Sequence, residues 1–377
     1  MKRSRIRTHR LVLAVVAFAG IGCAADPPRQ TDGGPIGGAG GGGTGGSGGG
    51  SGGAPPGPAG SLPVPPGPGD LPPPSGTPGN LKVLDWAGFK AAVTYTFDDA
   101  QPSQVEHYAE LQATGVRHTF YVTSSNGGFD ATFTQAVKDG HEMGNHTVHH
   151  CHADLSGCSN TASVPVSVDA ELDDCNSYII SHLGQGAVWT AASPFGDSGW
   201  DTPDMSRFFL NRGVASGTVS PNDNTDPFNL PCHAAVEGET AAMFNAVIDD
   251  VDARKRWAIF LVHTLSPTSQ NWYAPIDISV ITDSVAHAKS LGDVWIDSMV
   301  NVGAYWRGQK LLSTATPAAA GGAQTWTWKL PTQFPRGRAL RVTFDGGTPS
   351  QNGAPLTWDP HGYYEIALDA ESLTLSP

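Results

Sequence analysis

Five of the thirteen histidines fall within twelve residues, His141–His152, which read HEMGNHTVHHCH. Imidazoles gathered this densely hold metal, move protons, or share no role, and nearby carboxylates decide between these. Thr96-Phe97-Asp98-Asp99 supplies two adjacent aspartates. Two imidazoles and one carboxylate are a common ligand set for zinc, leaving a fourth position for water. Water bound there loses a proton near neutral pH and becomes a nucleophile. Adjacent side chains of a strand point to opposite faces. At the strand's end, where the chain turns, both aspartates can reach one site, one to ligate and one to accept the water's proton. A further histidine, His263, closes the apolar run WAIFLVH. On periodicity alone it is as readily a satisfied core residue as a functional one. A different grouping, His149, His150, Cys151, His152 and Cys158, has the residue types of a structural zinc knot.

The elements around these residues alternate. AAVTYTF (Ala91–Phe97) reads as a buried strand ending at the aspartates, and SQVEHYAELQATG (Ser103–Gly115) as a helix stopped by glycine. VRHTFYVT (Val116–Thr123) is a strand and ATFTQAVKDG (Ala131–Gly140) a helix. GAVWTAASPFG is a strand then a turn, AMFNAVIDDVDARKR a helix, and WAIFLVHT a strongly apolar strand. DISVITDSVAHAKSLG is a helix and DVWIDSMV a strand. Strands alternating with helices predict a parallel α/β sheet or barrel. In such folds chemistry sits at the carboxyl ends of strands. Asp98, Asp99, the Ser193–Gly196 turn and His263 all fall there. After about Lys310 short alternating runs such as TWTWKL and ALRVTF predict a small antiparallel β module. Trp326 and Trp328 would share one strand face in it, either packed in a core or stacking a sugar.

The first residues have a basic start, an apolar run from Leu11 to Ile21 and small residues before Cys23, the layout of an export signal. The run is too short for a permanent membrane span, which takes about 20 residues. The segment resembles a bacterial lipoprotein signal, which implies lipidation at Cys23 and the outer membrane or cell surface as destination, or secretion otherwise. Export suits disulfides among Cys151, Cys158, Cys175 and Cys232, with Cys151–Cys158 and Cys175–Cys232 expected from proximity. Residues 24–80 are Gly-rich and then Pro-rich, with no core-forming content, and predict a tether. Acidic residues outnumber basic ones, 35 to 22, which argues against nucleic acid and favours a neutral or cationic substrate. The membrane is then met only through the lipid anchor. No oligomerisation signal is evident, and a monomer is expected.

Taken in order, TFDD, GHEMGNHTVHH, SPFG and LVH resemble the successive motifs of the polysaccharide deacetylases, the NodB-homology family of carbohydrate esterase family 4. The resemblance covers about residues 82–306. It implies a distorted (β/α) barrel and a metal-dependent de-N- or de-O-acetylase acting on a chitin-like, peptidoglycan or xylan substrate. It implies Asp98 as catalytic base, Asp99, His146 and His150 as ligands of one divalent cation (zinc first, cobalt or another possible), and His263 as acid. It also implies that the backbone N–H of Phe195 helps bind the oxyanion. His146 and His150 are spaced i, i+4, which a helical turn would bring to one face. His141 reads as structural, and His149 and His152 as loop residues outside the metal set. Two departures stand out. The arginine that usually orients the base is replaced by Ala192, and the family's Asp-Trp pair is not evident, Asn222–Asp226 being the nearest acidic stretch. These leave a second expectation, a surface carbohydrate-binding protein on the same fold with little or no turnover. The expected domains are a signal at 1–23, a linker at 24–80, the catalytic domain at 81–308 and the β module at 309–377.

Overall fold

Seven strands close into a parallel barrel. In the computed structural model, which describes residues 61–159 and 167–377, a short strand β1 (Lys82–Val83) precedes them. The barrel then runs β2 (Ala91–Phe97), β3 (Thr119–Val122), β4 (Glu142–Asn145), β5 (Thr190–Ala192), β6 (Leu210–Ser216), β7 (Leu230–Ala234) and β8 (Trp257–Val262). Each pairs in parallel with the next, and β8 returns to β2 along Ala92–Phe97 to close the ring. In β8, Ala258, Phe260 and Val262 pack outward against helices, while Trp257, Ile259 and Leu261 pack on the other face. In β2, Ala91, Val93, Tyr95 and Phe97 face the helices and Ala92 faces inward. This period of two puts Asp98, Ala192, Arg212 and His263 on the inward parity.

The outer layer includes α3 (Asp130–Lys138), α4 (Val168–Ser181), α5 (Ala241–Arg254) and α6 (Ile278–Leu291), following two short turns of helix, α1 (Pro102–Glu106) and α2 (Tyr108–Ala113). Phe133, Leu172, Ile179, Phe244, Ile248, Ile281 and Val285 bury their side chains against the strands. The single helix expected over Ser103–Gly115 is broken at His107, whose ring meets the Pro267 carbonyl oxygen at 2.7 Å. The strand expected over 293–300 is confined to Val294–Ile296, and Met299 starts a 15-residue helix, Met299–Ser313. Its first amides are met from inside the barrel: Met299 N donates to Thr119 Oγ1 and Val300 N to Glu142 Oε2. This helix also packs on the C-terminal β region, whose two antiparallel sheets bury Trp326 and Trp328. Trp328 Nε1 donates to the Leu368 carbonyl at 2.8 Å, so the tryptophans are core and not a sugar platform.

The Pro-rich segment from Ser61 does more than space two parts. Leu71 N donates to Pro360 O and Gly76 N to Asp345 O, and buried Arg341 donates to Pro63 O at 2.7 Å. β1 pairs with Ala339–Thr343, so this β region draws strands from both sides of the barrel sequence. Proline-rich backbone leaves its carbonyls unpaired, and here buried donors recruit them. Cys23 and residues 24–60 lie outside the described residues. Among the described residues no helix is long and apolar enough to cross a membrane.

Cys151 and Cys158 are joined as a disulfide. The expected Cys175–Cys232 pair is not formed. Cys175 lies between α4 and the strands and Cys232 in the separate core that includes the barrel interior, each buried and free.

Candidate active site

Three ligand-type atoms converge at the carboxyl end of the barrel. Asp99 Oδ1 lies 3.4 Å from His146 Nε2 and 3.6 Å from His150 Nε2. Among the described residues these are the one set of three or more His, Cys, Asp or Glu side chains whose ligand atoms could share a cation, all within 4.8 Å of one another. No helix brings the histidines together. After β4 the chain turns sharply, with Thr147 at φ 65° and His150 at φ 52°. Asn145, buried, holds this turn: its Oδ1 accepts from Thr147 N and its Nδ2 donates to Leu172 O. Thr147 Oγ1 in turn accepts from His150 N. Asp99 and Ala100 are also left-handed, at φ 73° and 54°, and Phe195 at 58°. Each such residue costs about 1–3 kcal/mol, and such strain gathers at functional sites.

The protonation states suit a cation. His146 Nδ1 lies 2.8 Å from the Ala192 carbonyl. A carbonyl only accepts, so Nδ1 donates to it and Nε2 faces Asp99. Burial opposes the His146 charge, but Asp98 and Asp99 outweigh it and raise its pKa, so without an ion Nε2 also holds a proton. Burial, with the His146 charge, pulls His150 down to about 4, leaving it neutral. Burial alone would raise Asp99, but the hydrogen bond and charge of His146, with His263 and His150, hold it below the usual carboxylate range. Asp99 is ionised and His150 neutral, as metal binding demands, and a cation entering between them would displace the Nε2 proton of His146, so the residues present fit a divalent ion.

Asp98 enters differently. Its side chain is buried and its Oδ2 is engaged by Arg212 Nη2. Oδ1 is buried with no hydrogen-bond partner. Its main chain is held by Asp98 N donating to Val262 O and by Gln104 Nε2 donating to Asp98 O at 2.6 Å. Gln104 Nε2 also reaches the His263 carbonyl at 3.3 Å, and Gln101 links Asp99 Oδ2 to Thr264 Oγ1. The start of α1 thus ties the ends of β2 and β8. Burial lowers the His263 pKa against the opposing pull of Asp98 and Asp99, and its Nδ1 has no partner. Tyr273, well exposed, stands edge-on to the His263 ring at 4.9 Å.

Across the site, Pro194–Gly196 forms a 3-10 turn whose leading N–H groups have no acceptor within it. The Phe195 amide is among them. Its half-exposed ring packs on His150 at 4.5 Å and stacks on His152 at 4.2 Å. His152 pairs with Asp197, and His149 is paired with buried Glu171 at 2.5 Å. The zinc-knot grouping is therefore dispersed, its two thiols consumed in the disulfide. His141 stacks on His118 and accepts from His118 N, a structural place. In Asn222–Asp226, the Asp223 oxygens accept from Ser220 N and Thr225 N and serve their own turn.

The residue that the sequence did not disclose is Arg212, on a strand with no clear apolar pattern. The signal available was its inward parity two residues after Leu210, legible only once β6 is known.

Residues 87–207 match the family model described as polysaccharide deacetylase. Similar solved structures include a family 4 acetyl xylan esterase from Clostridium thermocellum with a cobalt ion, at 17% identity and TM-score 0.37, covering 56% of this chain and 89% of that one. Polysaccharide deacetylase Bc1974 from Bacillus cereus is 15% identical, TM-score 0.37, over 55% and 91%. Peptidoglycan deacetylase PdaC from Bacillus subtilis is 16% identical, TM-score 0.34, over 58% and 93%.

Proposed function

Because this chain carries a polysaccharide deacetylase domain, we propose that it is a metal-dependent hydrolase releasing acetate from an N- or O-acetylated polysaccharide. The observation that carries this reading is the convergence of Asp99, His146 and His150 beside Asp98 and His263 at one barrel mouth. A divalent cation held by those three residues, zinc or cobalt among the candidates, supplies a Lewis acid that acidifies water and polarises the acetyl carbonyl. Asp98, through its free Oδ1, takes the proton of the attacking water. The Phe195 N–H donates to the carbonyl oxygen as negative charge develops on it. His263 then gives a proton to the departing amine or sugar hydroxyl, so one acetyl group leaves as acetate.

Phe195 and Tyr273 stand exposed beside the two site histidines His150 and His263, as walls for a sugar chain. The net charge of −13 favours a neutral or cationic glycan. The binding-only alternative rested on Ala192 and a tryptophan face. Asp98 has a guanidinium partner and the tryptophans are buried, so neither ground favours it. The basic start, apolar run and Cys23 support export as a surface lipoprotein.

The test is acetate release across acetylated chitooligosaccharides, xylooligosaccharides and peptidoglycan fragments, with metal content measured on the same sample. Glycan binding with no acetate from any of them, even with zinc or cobalt added, would sink the hydrolase reading.

A further inference from the structure

Asp98 is a buried carboxylate, and something must fix its direction if one oxygen is to receive a proton. β5 provides no cation: its inward residue at the mouth is Ala192. In the β5–β6 pair, Ala192 is the register partner of Arg212. Partners in adjacent parallel strands project to the same face from backbones about 4.8 Å apart. Arg212 thus enters the barrel from the strand beside the alanine. It is fully buried and crosses to Asp98 Oδ2. Its other contacts are a bond from Nη1 to Gly213 O at 3.2 Å and the Tyr121 ring, whose centre lies 5.3 Å from the guanidinium, while Nε has no partner. The contact occupies Oδ2 and leaves Oδ1 without a partner. The guanidinium reaches Asp98 through Nη2 alone while Nη1 is tied to Gly213 O, so one planar group links Asp98 Oδ2 to the β6 backbone, a two-point span that an ammonium lacks.

We infer that Arg212 is the positioning residue of the catalytic base, a role the fold supplies from β6 in place of β5. It neither meets substrate nor contributes a ligand atom. It acts by holding Asp98 so that Oδ1 faces the attacking water. Because Ala192 projects to the same face from the adjacent strand, an arginine there would reach toward the volume that Arg212 vacates. The His146 ring is held by the Ala192 carbonyl, a backbone group that this exchange keeps.

The inference rests on the hydrolase reading, and its test separates the two. The full mature chain is compared as wild type, Arg212→Lys, Arg212→Ala and the exchange variant Ala192→Arg/Arg212→Ala. For each, kcat and KM for acetate release and metal affinity of the apoprotein by calorimetry are measured. Loss of orientation at a reacting group costs on the order of 10²-fold in rate. Arg212→Ala should therefore lose about 10²-fold in kcat, with KM and metal affinity within about twofold of wild type. Arg212→Lys, which keeps the charge and loses the link between Asp98 Oδ2 and Gly213 O, should lose about tenfold. The exchange variant should recover at least about tenfold over Arg212→Ala. If Arg212→Ala does not fold, Arg212→Lys and the exchange variant carry the test against wild type. A kcat within threefold of wild type in Arg212→Ala would overturn the inference. So would an exchange variant that folds and binds metal with no recovery, or parallel loss of metal affinity and kcat. A wild type that releases no acetate sinks the hydrolase reading and this inference with it, whereas an active wild type indifferent to Arg212 sinks the inference alone.

Discussion

Asp98 and Asp99 are sequence neighbours with divided work. Asp98 lies on the inward parity of β2 and meets a buried cation. Asp99, in a left-handed conformation one step on, meets the two imidazoles. This division makes their substitutions separable. Changing His150→Ala removes a ligand atom, and both bound metal and acetate release are expected to vanish. Asp98→Asn keeps a similar shape but removes the proposed proton acceptor. Its metal content should match wild type while kcat falls by at least about 10²-fold. Metal analysis and acetate release on the same preparations check the pair, and equal metal loss in both would reverse the roles assigned here. Asp98→Asn should also lower thermal stability, because it leaves Arg212 a buried charge with no countercharge on Asp98.

At the scale of elements, the site is a set of strand ends held by short, strained connections. The β5 turn shows how little slack they have. Gly196 sits at φ +66°, and a Cβ there would come within 2.1 Å of Val214 Cγ2 on β6. A Gly196→Ala protein must shift the turn that carries the Phe195 amide and ring. The expected result is about 2–4 kcal/mol of destabilisation, from the left-handed strain and the overlap together. A fall in kcat greater than the change in metal affinity should accompany it. Chemical denaturation with parallel kinetics checks this, and an alanine variant with unchanged stability would show that the turn has more freedom than its contacts indicate. The same reasoning explains why an i, i+4 helix was the wrong expectation for His146 and His150. Two left-handed residues fold the chain back more tightly than a helical turn does.

For the whole molecule, buried histidines and the N-terminal segment set the conditions of stability. Burial, with the charge of His141, pushes His118 down to about 3, and burial pushes His141 to about 4. Both are neutral in the folded protein and take up protons on unfolding below their ordinary value of about 6.5. Their contribution is complete above that pH and is lost as pH falls toward 4. The slope is about 1.4 kcal/mol per pH unit for each histidine. Denaturation of the apoprotein between pH 7 and 4.5 should show this fall, and His141→Gln should flatten it. A slope unchanged in that variant would exclude the assignment. Deleting residues 24–60 should leave kcat and KM unaltered. Extending the deletion to residue 79 removes Leu62 and Pro63, whose carbonyls face buried Arg341. That truncation should cost about 1–3 kcal/mol for the unpaired donors. Thermal melts of the two truncations against the full chain decide it.

The chemistry was legible in the sequence because it depends on residue type and order. Two aspartates after an apolar strand, a dense histidine run and a histidine closing another strand are local facts that pointed to a metal site, and the resemblance to the deacetylase motifs singled out Asp99, His146 and His150, which the fold brings together. Alternation of strands and helices was equally local and predicted a parallel α/β sheet or barrel, with the barrel implied by the resemblance. Tertiary structure alone decided which residue answers Asp98, because Arg212 lies 114 positions away on a strand with no strong apolar pattern. It also decided that Cys175 and Cys232 stay apart, and that the Pro-rich segment is partly enlisted by the C-terminal sheets. Those outcomes depend on which backbones lie side by side, and strand pairing across long loops leaves no periodic mark in either segment by itself.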